Sequence, residues 1–142
     1  MIYCMTYGAE GYLYSVDVQT GAWAVVTGLD EYDGAGLLYD PQGQLLITTG
    51  AFSRPGEIRI FGLDGSFSSM FIPTTAFPGL TDLFDYGNEH GPPLTPLSYS
   101  DGWLLLEALA RRSSANRGAG GYRLYAVQIS TREVRLLRFS DN

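Results

Sequence analysis

The feature of this sequence that most limits its fold is a repeat. Leu13-Tyr14-Ser15-Val16-Asp17-Val18-Gln19-Thr20 aligns without gaps on Leu124-Tyr125-Ala126-Val127-Gln128-Ile129-Ser130-Thr131, and a Gly-Tyr pair (Gly11-Tyr12, Gly121-Tyr122) precedes each copy with at most one residue between. A shorter third copy is Ile60-Phe61-Gly62-Leu63-Asp64. All three alternate with the period of a strand, follow a Gly-containing segment and precede a tight turn. A recurring supersecondary unit fixes the architecture more firmly than any single element does.

The neighbours of each copy recur in the same order. Upstream strands are expected at Ile2–Tyr7, Leu45–Thr49 and Trp103–Ala108, and downstream strands at Ala22–Thr27, Ser66–Ile72 and Glu133–Phe139. One more short strand, Gly36–Tyr39 or Leu97–Ser100, precedes the second and third sets and is closed by Asp40-Pro41-Gln42-Gly43 or Asp101-Gly102. The chain therefore reads as three units of antiparallel strands A, B, C and D, spanning residues 1–35, 36–93 and 94–142 of a single domain. The first unit lacks its A strand, since Met1 already opens B. Four strands per unit at a spacing of roughly forty to fifty residues is the pattern of propeller blades.

On these residues, and on the stretch Gly56-Glu57-Ile58-Arg59-Ile60-Phe61-Gly62-Leu63-Asp64-Gly65, the chain resembles β-propeller repeat proteins of the NHL, quinoprotein and SMP-30-like kind. The resemblance covers nearly the whole chain and implies an all-β fold, half of a β-propeller. It carries no Trp-Asp signature and no kelch double glycine, so it implies architecture and not activity. A β-sandwich is the alternative, disfavoured by the ordered repeat. Three blades leave long sheet edges uncovered, which natural sheets avoid, and a homodimer completing a six-bladed ring is the simplest remedy.

Composition agrees. With 45% apolar and only 17% charged residues, a chain of 142 residues builds its own core without staples. Cys4 is the single cysteine, so no internal disulfide forms, and it is expected to be a small core residue of its strand. No secretory leader and no membrane-spanning stretch is legible, and the expected compartment is the cytoplasm. The net charge of −6 hides a polarity: residues 1–53 carry six carboxylates and no Lys or Arg, while residues 111–142 carry seven Arg against Glu133 and Asp141.

The connections divide by length. On the propeller reading the A–B and C–D turns are short and share one face, whereas the B–C and D–A connections are long and share the other: Tyr7–Gly11, Gly28–Gly36, Gly50–Gly56, Pro73–Pro93 and Arg111–Gly121. Long loops on a rigid scaffold concentrate binding residues. The candidate binding residues are therefore Asp30, Glu31, Tyr32 and Asp33; Asp82, Asp85, Tyr86, Glu89 and His90; and Arg111 and Arg112. Thr81 is placed to cap a short helix ending at Gly87, with Leu80, Leu83 and Phe84 on its apolar side. Trp23 and Trp103 are expected to pack inward.

No residue is assigned a catalytic role, because the chain holds one histidine, no Gly-x-Ser-x-Gly elbow and no phosphate loop. The first functional expectation is a non-catalytic binding module, for a protein ligand, using the long-loop face. One alternative is a calcium-dependent lactonase-like hydrolase drawing on Asp30, Asp33, Asp82, Asp85 and Glu89; no cofactor is otherwise implied, and the oxygen ligands match calcium in number but not in EF-hand spacing. The other is a carbohydrate-binding lectin. A pI near 4.5 argues against nucleic acid as a partner.

Overall fold

The alternating apolar pattern becomes strand throughout the computed structural model, which describes residues 1–6, 11–29, 34–50, 56–83, 93–110 and 120–141. Sheet I consists of β1 (Ile2–Met5), β2 (Tyr12–Val16) and β3 (Trp23–Gly28). Sheet II consists of β4 (Gly34–Asp40), β5 (Leu45–Gly50), β6 (Glu57–Gly62) and β7 (Phe67–Phe71). Sheet III consists of β8 (Thr95–Ser100), β9 (Trp103–Ala110), β10 (Gly121–Gln128) and β11 (Val134–Ser140). Every pairing is antiparallel and joins strands consecutive in the chain. The result is an all-β, propeller-like array of three meanders, with a strand near each expected position; β6 begins at Glu57, ahead of Ile60, and leaves Leu63 and Asp64 to the turn.

The repeat is preserved down to single hydrogen bonds. In the turn after β2 the Asp17 carboxylate accepts from the Gln19 N–H at 2.8 Å, and in the turn after β10 the Gln128 side-chain oxygen accepts from the Ser130 N–H at 3.0 Å. Thr20 and Thr131 each accept, through Oγ1, from the N–H two residues on, Ala22 or Glu133. Gly21 (φ 74°) and Arg132 (φ 61°) hold the same left-handed corner, which glycine adopts freely and arginine only because the rest of the turn dictates it. Both copies slip register at the same place, between Leu13 and Tyr14 and between Leu124 and Tyr125, and such a bulge sharpens strand twist. Asp40 and Asp64 close their turns by the same side-chain device, accepting from the N–H groups of Gly43 and Ser66.

Two apolar layers hold the sheets together. Leu13, Leu29, Leu46 and Phe61 form the layer between sheets I and II, with Tyr3, Met5, Val26, Leu37 and Leu63 at its margin. A larger layer joins sheet II to sheet III, where Ile47 and Ile58 meet Leu104, Leu106, Tyr125 and Val127. Each of these fully buried side chains contributes roughly 1.5–3 kcal/mol of burial.

Strand β4 lies between β1 and β8. The approach of β4 to β8 requires Gly36, because a Cβ there would stand 2.8 Å from the Pro96 ring. Near the other end of β4, the Tyr39 ring meets Tyr3 of β1 with centroids 4.7 Å apart. Starts of β4 and β8 thus adjoin, as do the start of β1 and the end of β4. The connections β1–β2, β3–β4, β5–β6, β7–β8 and β9–β10 accordingly leave the array at one end and the remaining turns at the other; of the first set β7–β8 and β9–β10 are long, and the other three are no longer than the connection between β2 and β3 at the opposite end.

Two expectations about single residues are corrected by the packing. Cys4 is exposed, because its partner in register is Tyr14 and both belong to the face of sheet I turned away from sheet II. Trp23 is 68% exposed on that same face, and Trp103 is half-buried, its ring covered by the Arg135 guanidinium at 4.6 Å.

Candidate binding surfaces

The first candidate surface is the end from which the long connections leave. Most of its sequence candidates, namely Asp30, Glu31, Tyr32, Asp33, Asp85, Tyr86, Glu89, His90, Arg111 and Arg112, lie outside the described residues. Asp82 is described and is exposed. What the structure adds is how this end is anchored.

After β7 the chain does not enter the expected helix at Thr81. It runs instead through tight turns: a 3-10 turn at Thr74–Ala76, then bonds from the Leu80 N–H to the Phe77 carbonyl and from the Leu83 N–H to the Leu80 carbonyl. Pro78 lacks a donor and Gly79 takes φ 72°, which breaks the chain into turns ahead of Thr81, and Thr81 to Leu83 continue as turn and bend. The rest of the expected helix, Phe84 to Gly87, lies outside the described residues.

Phe77, Leu80 and Leu83 turn down into the core and fasten this segment to sheet III. The Phe77 ring meets Tyr125 edge-on at 5.3 Å, and the Tyr125 hydroxyl donates to the Pro78 carbonyl at 2.8 Å. Burial, with a smaller contribution from the Asp82 carboxylate, pushes the Tyr125 hydroxyl up to about 12, against the opposing effect of Arg123. The Arg123 guanidinium lies against Gly79 and donates to the Ser140 carbonyl at 3.1 Å, with an ion pair to Asp141 at 2.6 Å. Tyr125 and Arg123 share the buried face of β10, so one strand of the repeat clamps both the loop root and the end of β11.

The second candidate surface was missed from sequence. On the free face of sheet I the rings of Tyr12 and Tyr14 stand 5.9 Å apart and those of Tyr14 and Trp23 5.7 Å apart, an aromatic row in contact with solvent. The free face of sheet III carries Leu105, Glu107, Leu109, Tyr122, Leu124, Arg135 and Arg138. Burial and the Glu107 carboxylate raise the Tyr122 hydroxyl above its ordinary value there, opposed by Arg138. Large exposed apolar surfaces mark contact sites. The signal available in the sequence was the second apolar set of each strand, Ile2 with Cys4 beside Tyr3 with Met5.

A groove of about 210 Å³ lies between β6, β7 and the turn after β10, lined by Ile60, Ser69, Met70, Ser130 and Arg132 among others. That is below the roughly 300–1,000 Å³ of small-molecule sites. Among the described residues no three His, Cys, Asp or Glu side chains converge to hold a metal, and no helix is long and apolar enough to cross a membrane.

No family model matches the chain, and no match is found among curated proteins. Its structure is similar to that of TolB from Acinetobacter baumannii, with a TM-score of 0.46 and 18% identity. The likeness covers 95% of this chain and 40% of that one.

Proposed function

We propose that this chain is a non-catalytic binding module that takes a protein ligand on the end of the array carrying the long connections, in a six-sheet ring built from two copies. The observation that carries the reading is the clamped root of the longest connection. Phe77, Tyr125 and Arg123 fix residues 73–83 to sheet III, so Asp82 and the residues after it start from a rigid base. A loop with an ordered base loses less freedom on binding than a free one. Its acidic and aromatic residues, Asp82, Asp85, Tyr86 and Glu89, suit a basic partner with an apolar centre.

The test is a pair of variants measured for both stability and affinity. Once a partner has been isolated on the immobilised chain, Asp85→Ala with Tyr86→Ala is expected to weaken its binding by roughly tenfold or more while leaving the melting temperature within a few degrees. Gln42→Ala, in a short turn at the other end, is expected to leave affinity unchanged. Loss of binding in the second variant alone contradicts the reading. Calcium-dependent stabilisation or lactone hydrolysis favours the hydrolase instead.

A further inference from the structure

We propose that the free face of sheet I docks on the free face of sheet III of a second copy, just as sheet I docks on sheet II and sheet II on sheet III within the chain. This pairing rests on the two-copy ring of the proposed function and gives that ring its contact surfaces.

The repeat identifies the first surface. Tyr14 matches Tyr125, so their cross-strand neighbours can be matched as well. Cys4 and Val25 flank Tyr14, as Leu106 and Leu136 flank Tyr125. One step along, Val16 stands between Ile2 and Trp23, as Val127 stands between Leu104 and Val134. In sheet III this face is sealed: Leu104, Leu106, Tyr125 and Val127 are fully buried, and Val134 and Leu136 pack on the same core. In sheet I the same six positions hold Ile2, Cys4, Tyr14, Val16, Trp23 and Val25, all uncharged and all exposed or half-buried. This is an inter-sheet face with no sheet against it.

The complementary face is found in the same way. Within the chain, sheet II covers Tyr125 and Leu106 with Ile47, Ile58, Ile60 and Met70. Ile60 matches Leu124 in the repeat, and it pairs with Ile47 as Leu124 pairs with Glu107. Two residues upstream, Ile58 matches Tyr122, which pairs with Leu109. The covering face of sheet II therefore has its counterpart on sheet III, where Leu105, Leu109, Tyr122 and Leu124 are exposed or half-buried and Glu107, Arg135 and Arg138 supply the charge.

A second copy is the occupant because one chain carries both halves of this contact. A two-fold axis uses each face once per chain and leaves none free. Arg138 stands exposed on the face of sheet III, as does Arg135, which also pairs with Glu133 at 2.7 Å, and the carboxylate that sheet I brings nearest its own face is Asp17 in the turn after β2.

Light scattering on the parent chain and on face variants tests the inference. The parent is expected at twice its 15.5 kDa mass, and Tyr14→Asp and Leu124→Asp each at the monomer mass with unchanged far-UV circular dichroism. The reversal Arg138→Glu, at an exposed side chain, serves if either of those fails to fold, and is expected to weaken the dimer by roughly tenfold or more. A dimer lost in Tyr14→Asp but kept in Leu124→Asp and in the arginine reversal means that sheet I pairs with itself, which overturns the inference and spares the two-copy reading. A dimer kept in all of them does the same. A monomeric parent overturns both.

Discussion

Tyr14 and Tyr125 occupy one position of the repeat, three residues ahead of equivalent turns, yet Tyr125 is fully buried beneath Phe77 and Pro78 whereas Tyr14 faces solvent beside Trp23. The same strand chemistry thus has two outcomes, set by whether a preceding sheet is present.

Tyr125→Phe removes the hydroxyl that satisfies the Pro78 carbonyl and is expected to lower stability by about 1 kcal/mol in chemical denaturation, with little change in fold. Its pH signature is specific. The folded-state value near 12 lies above the ordinary value of 10.0, so the neutral hydroxyl's contribution is fully present below about pH 10 and is lost as pH rises through 12. Stability of the parent should fall across that alkaline window by more than that of Tyr125→Phe. Equal alkaline losses would remove Tyr125 from this role.

Gly36→Ala places a methyl group 2.8 Å from the Pro96 Cδ, where β4 meets β8. Neither partner is a flexible side-chain end, so the two inner strands must separate. A loss of roughly 1–3 kcal/mol is expected in urea titration. Gly21→Ala, where a Cβ meets nothing within 4 Å, gives a comparison in which backbone conformation alone is at stake.

Asp64 accepts from both the Ser66 hydroxyl and its N–H, and these bonds lower the Asp64 pKa from 3.8. A depressed folded-state value contributes stability above the unfolded value and loses it as pH falls through the folded one. Asp64→Asn keeps an acceptor but cannot titrate, so its melting temperature should fall less than the parent's as pH drops below about 4. Identical acid profiles would show that the turn does not depend on the charge.

The strands and their turns were legible in the sequence because alternation and Asx chemistry are local. Asp17, Asp40 and Asp64 close turns by bonds to residues two or three positions on, and no tertiary contact is needed to set them. The exposure of Cys4 and Trp23 was not legible. Strand β1 carries apolar residues on both faces, Tyr3 and Met5 on one and Ile2 and Cys4 on the other, and only the packing of sheet II decides which face is covered. Of the expected helix at Thr81, the described residues Thr81 to Leu83 continue in tight turns that carry both Leu80 and Leu83 into the core, and Phe84 to Gly87 lie outside the described residues. Of the candidate site residues, Asp82 alone lies among the described residues, and it is exposed.

Cys4 tests the central claim most directly. It is the only cysteine, it is exposed in the single chain, and its repeat counterpart is the fully buried Leu106. If sheet III of a second copy covers this face, the rate of Cys4 labelling by a maleimide should fall as protein concentration rises, by mass action, while Leu124→Asp should label at the dilute rate throughout. Labelling of the parent at one rate across all concentrations, equal to that of Leu124→Asp, would contradict the account.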